Sequence, residues 1–311
     1  MADLTLTELL KKYGSDKTAR SFLESIRWPD GAICPRCKTK QDHKITAKKE
    51  SENGAREGVY FCSKCRKQFT VTVGTIMESS HIPIGTWLAA IFLICASKKA
   101  ISSLQLQRML GLTYKSAWFM SHRIRHAMDN TANEPKLSGI VEADEAYVGG
   151  KPRKLVKRKF KGRGVSGKTP VVVLVERNGR ARTKVMPNVS RVNIRQMMKE
   201  NVDIKSKIMS DESPLYNTVG VYFKGGHEAV NHSKWEFARG EANNNTAESF
   251  FALLKRGIYG TFHNVSKEHL DKYCNEFAFR WNNRKISDGE RMAVAINMIE
   301  GKRLMYRDSL V

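Results

Sequence analysis

The chain has 311 residues, 41% of them hydrophobic, which is enough for packed cores and excludes wholesale disorder. Its 54 Lys and Arg against 31 Asp and Glu leave a net charge of +23. An excess of that size favours a polyanionic partner, because neutralised phosphates release counterions; mere solubility explains it poorly, since acidic residues serve solubility better.

The length predicts one large domain with one or two small ones. Met1-Ala-Asp-Leu-Thr carries no basic stretch followed by an apolar one, so no signal peptide is expected. The most apolar run, Trp87 to Ala96, is far short of the roughly twenty residues a bilayer crossing needs, and reads as a buried helix. The expectation is a cytoplasmic, nucleoid-associated protein with no membrane partner. In that reducing compartment the six cysteines are metal ligands or core thiols rather than disulfides.

Residues 1–80 hold Cys34-Pro-Arg-Cys37 and Cys62-Ser-Lys-Cys65, two Cys-x-x-Cys knuckles separated by 24 residues. Such knuckles set four thiolates tetrahedrally around one zinc ion. Val59-Tyr-Phe and Gln68-Phe-Thr-Val flank the second pair as short strands, which predicts a zinc ribbon behind an N-terminal helix. A redox reading needs a βαβ context that is missing here. Four thiolates leave no open position, so the zinc is structural, supplying folding free energy to a piece too small for its own core. Cys95 and Cys274 sit in helical apolar patterns and read as buried thiols.

Residues 81–130 read as all-helical, with helices at 84–94, at 102–110 ending on Gly111, and at 113–126 with Thr113 as N-cap. A short helix, a glycine turn and a longer basic helix resemble a helix-turn-helix, with Lys115, Arg123 and Arg125 as DNA contacts. The alternative is a three-helix bundle with a solvated basic face; the charge of the whole chain favours DNA. His122 and His126 have a metal-capable spacing but no third ligand nearby, and are read as structural or phosphate-facing.

Residues 136–300 alternate strands and helices. Strands are expected at 138–148, 169–176, 182–187 and 207–210, helices at 193–201, 245–256 and 267–282, and a long connection at 214–239. Three strands, a helix, a strand and a helix suggest an α/β sheet of the ribonuclease H type. Between the first two strands, residues 151–168 hold nine cations and no acid. Of these, Lys154, Lys157, Arg158, Lys159, Lys161 and Arg163 are expected to contact DNA, because like charges this dense repel unless phosphates compensate them.

Phosphodiester cleavage by a metal pair needs oxygen ligands holding two ions about 4 Å apart, and Mg²⁺ (or Mn²⁺) suits carboxylate and carbonyl ligands. Asp144 lies within the first strand, on the same face as Glu142 and Ala146 by alternation. Asp211 follows the strand at 207–210, at its carboxyl end, where ligands gather in α/β sheets. On the next helix Asn245, Glu248, Ala252 and Lys255 share one face, and Phe250, Leu253 and Leu254 another. Taken singly, each acid reads as a cap or a solvated polar face. In this order, in a chain this basic, they read as a metal site for nucleic-acid chemistry. Lys255 and Arg256 would meet phosphate, with His263, Arg280 and Arg284 as further backbone contacts.

Glu142-Ala-Asp144-Glu-Ala-Tyr-Val-Gly-Gly, Ser210-Asp211-Glu, the run from Asn245 through Thr-Ala-Glu248 to Lys255-Arg-Gly-Ile-Tyr-Gly-Thr-Phe-His263, and Glu276-Phe-Ala-Phe-Arg-Trp-Asn-Asn-Arg284 resemble the ISXO-type bacterial insertion-sequence transposases. The resemblance covers nearly the whole chain. It implies a zinc ribbon ahead of a ribonuclease H-like DDE-type domain, Mg²⁺ dependence, and hydroxyl-driven cleavage and strand transfer at transposon ends. It also implies a homo-oligomer assembled on terminal inverted repeats and target DNA. Carried over, the family's site gives Asp144, Asp211, Asn245 and Lys255, with Glu248 seven residues before Lys255 as a second candidate for the third ligand. A neutral amide compensates less metal charge than a carboxylate, which keeps Glu248 beside Asn245. Alternatives to a transposase are a ribonuclease H-like nuclease or resolvase, and a zinc-ribbon regulator with an inactive catalytic domain.

Overall fold

A computed structural model describes residues 4–40, 45–47, 58–129, 134–149, 167–236 and 238–309. In chain order its helices are α1 Leu6–Tyr13, α2 Asp16–Arg27, α3 Ile84–Ala96, α4 Ser103–Leu110, α5 Tyr114–Ala127, α6 Arg191–Asn201, α7 Pro214–Gly220, α8 Asn245–Gly257, α9 Leu270–Asn282 and α10 Asp288–Asn297. The strands are β1 Ile45–Ala47, β2 Tyr60–Cys62, β3 Lys67–Phe69, β4 Ile140–Val148, β5 Thr169–Glu176, β6 Ala181–Val185, β7 Lys207–Ser210 and β8 His227–Ala229. Contacts group them into two units, Met1–Asp129 with Lys285–Val311, and Asn130–Arg284. No helix among the described residues is long and apolar enough to cross a membrane.

In the first unit, β1, β2 and β3 form an antiparallel sheet beside the cysteine knuckles. The Trp28 ring meets Tyr60 and Phe69 edge-on at 5.3 and 5.8 Å, a small aromatic core that the metal site supplements. Helix α3 is apolar on every side and buried along most of its length, so it needs cover all round. Helices α1, α2 and α10 pack against it, and Arg291 of α10 donates to the Cys95 carbonyl at 2.9 Å. Residues 285–300, placed by sequence at the end of the α/β domain, thus group with the first unit. Helices α4 and α5 are joined through Gly111, whose φ of 65° closes α4 in the left-handed conformation, and Thr113 caps α5 through the Ser116 N–H.

In the second unit five strands run in the order β6-β5-β4-β7-β8. The first three pair antiparallel, while β7 and β8 lie parallel to β4. This mixed order, with helices on both faces, is the ribonuclease H-like arrangement. The region read as a long connection contains α7 and β8. Both are short, and neither has an apolar period: Pro-Leu-Tyr-Asn-Thr-Val-Gly for one, His-Glu-Ala for the other.

Alternation divides the sheet. Val141 and Ala143 join Val172, Leu174 and residues of α6 and α7 in one fully buried cluster. The opposite face of β4, with Glu142 and Asp144, looks toward α8. Helix α8 comes close to α9 because Gly257 has no side chain: a Cβ there would lie 2.1 Å from the Phe277 ring.

Candidate active site

Strand β7 runs parallel to β4 with an unchanging offset of 67 residues, from Ile140 opposite Lys207 to Glu142 opposite Met209. Carried two residues further, that register sets Asp211 level with Asp144, just past the carboxyl end of β7. Asp211 Oδ1 accepts the Ser213 N–H at 3.1 Å, which shapes the turn into α7, and Asp144 Oδ1 accepts the Glu145 N–H at 2.8 Å.

Burial pushes the Asp144 carboxyl up to about 7; the Glu145 N–H opposes the rise, and the negative charges of Asp211, Glu145 and Glu248 add to it. Four acidic side chains therefore interact around one half-buried strand position. A cation among them would reverse the sign of that perturbation.

On α8, Asn245, Glu248 and Lys255 are exposed and Ala252 is half-buried, along one side of the helix. Ala247, Phe250, Phe251, Leu254 and Gly257 form the packed side. Phe251 takes the buried place expected for Leu253, which is half-buried. The charge of Glu248 reaches Asp144, while the Asn245 N–H donates to Asn243 Oδ1 at 3.4 Å. Lys255 and Arg256 sit in the last turn of α8, where cations suit the helix dipole. A π-helical turn, Ile258–Phe262, follows and ends at His263, whose φ is 62° and whose Nδ1 lies 3.3 Å from the Tyr259 carbonyl oxygen.

Two flanking acids had no task assigned from sequence. Glu142 is fully buried: its carboxylate accepts the Thr246 and Ala247 N–H groups at 2.7 and 3.1 Å, the Thr246 hydroxyl at 2.9 Å and Arg177 Nε at 2.9 Å. Glu145, on the other face of β4, accepts the Tyr216 hydroxyl at 2.6 Å. Burial raises the Glu145 carboxyl pKa, with the Tyr216 bond opposing and Asp211 adding to the rise. One strand thus grips α8 on one side and α7 on the other. Partners 71 and 104 residues away left no local signal.

The zinc knuckles close as expected. The Sγ atoms of Cys34, Cys37, Cys62 and Cys65 all lie within 4.8 Å of one another. Cys34–Cys65 and Cys37–Cys62 are 3.7 and 3.6 Å apart, close to the ~3.8 Å edge of a tetrahedron built on Zn–S bonds of about 2.3 Å. Lys38 and Arg66, each one residue past a second cysteine, both have φ near 55° (55° and 53°), so the two knuckles turn alike. Among the described residues these thiols form a closed metal-ligand group. Asp144, Asp211 and Glu248 interact electrostatically without closing to such a group.

Residues 14–68 match the transposase zinc-ribbon domain, and residues 136–282 match the ISXO2-like transposase domain. The chain thus carries a transposase zinc ribbon followed by an ISXO2-like transposase domain. An uncharacterised protein in the transposable element ISH50 of Halobacterium salinarum is 27% identical over 283 residues, covering 87% of this chain and 92% of that protein. An uncharacterised transposase-like protein of Haemophilus influenzae is 27% identical over 119 residues, 38% of this chain and 93% of its own length. A chain of a pre-cleavage Mos1 transpososome aligns over 63% of this chain and 74% of its own at 12% identity, with a TM-score of 0.22, too slight a likeness to bear on the fold.

In this chain the basic residues expected at DNA divide into two groups. Lys115 is exposed, its Nζ 4.5 Å above the Tyr306 ring. Arg123 and Arg125 are not surface residues. Arg123 donates to the Leu304 and Glu78 carbonyls at 3.2 and 2.6 Å, and Arg125, fully buried, donates to Ser121 Oγ at 3.0 Å and the Ile101 carbonyl at 3.4 Å. Both guanidinium groups tie segments of the first unit together, which their fixed fork of donors suits. His122 is also buried, its ring 4.2 Å from that of Trp118. Arg280 is buried and paired with Glu276, and Arg284 donates to the Gly179 and Trp281 carbonyls at 3.0 and 2.7 Å. Lys154, Lys157, Arg158, Lys159, Lys161 and Arg163 lie outside the described residues.

Proposed function

We propose that this protein binds the ends of an insertion sequence and carries out metal-dependent cleavage and strand transfer of DNA phosphodiesters. This reading is supported by the β4–β7 register, which carried two residues past its last pair sets Asp211 beside Asp144, and by the charges of Asp211 and Glu248 reaching Asp144. Mg²⁺ or Mn²⁺ bound there would polarise the scissile phosphate and lower the pKa of the attacking hydroxyl or water. Asp144 and Asp211 hold the ions. Glu248 supplies the anionic share of the third position, and Asn245 a neutral oxygen on the same helical face. Lys255 and Arg256, exposed at the end of α8, hold backbone phosphate.

The zinc ribbon and the α4–α5 pair, with Lys115 exposed, supply end recognition, and the net charge of +23 supports a DNA partner. Joining two ends to one target calls for two or more copies on the DNA. The test incubates full-length protein with duplexes carrying the element's terminal repeats and a target plasmid, with Mg²⁺, with EDTA, and with Asp144→Asn or Asp211→Asn. Joined product is expected from the wild type with Mg²⁺ only. Metal-independent product, or full activity in either variant, overturns the reading. Cleavage without joining assigns the chain to the nucleases instead.

A further inference from the structure

We infer that Glu142 is a positioning residue that sets the depth and rotational phase of α8, and thereby the presentation of Asn245 and Glu248 to Asp144. This inference rests on the proposed metal site. Helix α8 needs an external anchor, because Asn244 at its N-cap position makes no side-chain cap bond. Exposed N–H groups at a helix start are normally met by the cap residue itself. Here they are met by a carboxylate from another strand: Glu142 Oε2 accepts the Thr246 and Ala247 N–H groups at 2.7 and 3.1 Å, and Oε1 accepts the Thr246 hydroxyl at 2.9 Å.

The anchor is itself held. Arg177 Nε and Nη2 both lie 2.9 Å from Glu142 Oε1. The same guanidinium donates to the Glu241 and Asn243 carbonyls at 3.0 and 3.2 Å, so the segment entering α8 is fixed along with its first turn. Glu142 is fully buried, a position a carboxylate occupies at a cost unless donors surround it. Four N–H and O–H donors and the positive end of the helix dipole do so here.

Glu142 and Asp144 are two residues apart on one face of β4, about 6.6 Å along the strand. Glu248 stands one residue beyond the anchored Ala247. A slip of one residue at the anchor turns the helix by about 100° and carries Glu248 off the Asp144 side. The clamp and the metal ligand therefore belong to one rigid strand, and the geometry between them is set by covalent spacing on each element. A cap that merely stabilised α8 would not need to come from the strand that carries the first aspartate.

The experiment compares wild type, Glu142→Gln, the milder Thr246→Val, and Ser190→Ala, which removes an ordinary side-chain cap from α6 in the same unit. Three quantities are measured: amide exchange at Thr246 and Ala247 in EDTA, Mn²⁺ binding to the DNA-free protein by titration of the free-ion EPR signal, and cleavage against Mg²⁺ concentration. Glu142→Gln should accelerate exchange at the two amides and weaken Mn²⁺ binding about 10–100-fold, with cleavage largely restored at saturating Mg²⁺. Thr246→Val should move every readout the same way by a smaller factor. It carries the test if Glu142→Gln does not fold. Ser190→Ala should lower thermal stability and leave metal dependence unchanged. Unchanged Mn²⁺ binding in a folded Glu142→Gln, or in Thr246→Val, overturns the inference. A wild type that neither binds Mn²⁺ nor cleaves overturns the metal-site reading on which the inference rests.

Discussion

Asp144 and Asp211 stand 67 residues apart, the same offset that pairs β4 with β7, and the charge of Asp211 reaches Asp144. Neither aspartate is exceptional alone: one is a strand residue, the other begins a turn. Parallel pairing of β4 and β7 brings the Asp211 charge to Asp144, and Glu248 on α8 adds a third charge.

That crowding has a pH signature in the metal-free protein. The Asp144 carboxyl is raised from 3.8 to about 7, first by burial and then by Asp211, Glu145 and Glu248, against the Glu145 N–H. The folded chain therefore binds this proton more tightly than the unfolded chain. The associated stability is present in full below about pH 4 and is lost as pH rises through 7. In EDTA, Asp144→Asn should melt a few degrees above wild type at pH 8, with a smaller gap at pH 5. Equal melting temperatures at both pH values would contradict the raised carboxyl. With metal the sense reverses: the ion needs the ionised carboxylate, so half-saturating Mg²⁺ should fall about tenfold per unit as pH approaches 7 from below.

Variants of α8 separate the two candidates for the third position. Glu248→Gln removes the anionic share, so its cleavage rate should fall by more than the ~10–100-fold typical of residues behind the ligands. Asn245→Ala should lose about tenfold or less. The assay is single-turnover cleavage of an end duplex at fixed Mg²⁺. The reverse ranking would assign Asn245 as the principal ligand.

Zinc removal should act on the first unit. Among the described residues the three-stranded ribbon has a few aromatic contacts beside its four thiols, so metal coordination is expected to supply much of its folding free energy. Cys62→Ser, or chelation of the wild type, should lower bound zinc from one ion per chain. The Trp28 near-UV signal should fall with it, together with end-specific DNA binding. Retention of the Trp28 signal in a zinc-free protein would show that the ribbon holds without metal.

Lys115 and Arg125 lie on one helix and should behave oppositely. Lys115→Ala should leave the melting temperature within about a degree of wild type and reduce the salt dependence of DNA binding by about one phosphate contact. Arg125→Ala should destabilise by roughly 2–4 kcal/mol, because it opens a buried space and leaves the Ile101 carbonyl without its donor. Circular dichroism melts and binding isotherms across salt concentrations decide both. A stable Arg125→Ala with weakened binding would restore that residue to the DNA face.

The sequence by itself determined whatever depends on near neighbours. The zinc knuckles were legible because each pair of ligands sits within one tight turn. Helices α3, α4 and α5 were legible from apolar period, the Thr113 cap and the Gly111 stop. Strand alternation put Glu142 and Asp144 on one face, and helical spacing did the same for Asn245, Glu248 and Lys255. Tertiary structure alone decided the rest. Strand β8 and helix α7 are too short to show a period, and exist because β7 offers an edge and a buried cluster offers cover. Arg123 and Arg125 read as surface cations, yet carbonyls brought in from distant segments satisfy their donors and let them be buried. Glu142 looked like one more acid beside Asp144. Only folding brings it to the start of α8, because a helix terminus accepts any well-placed carboxylate, however far away in the chain.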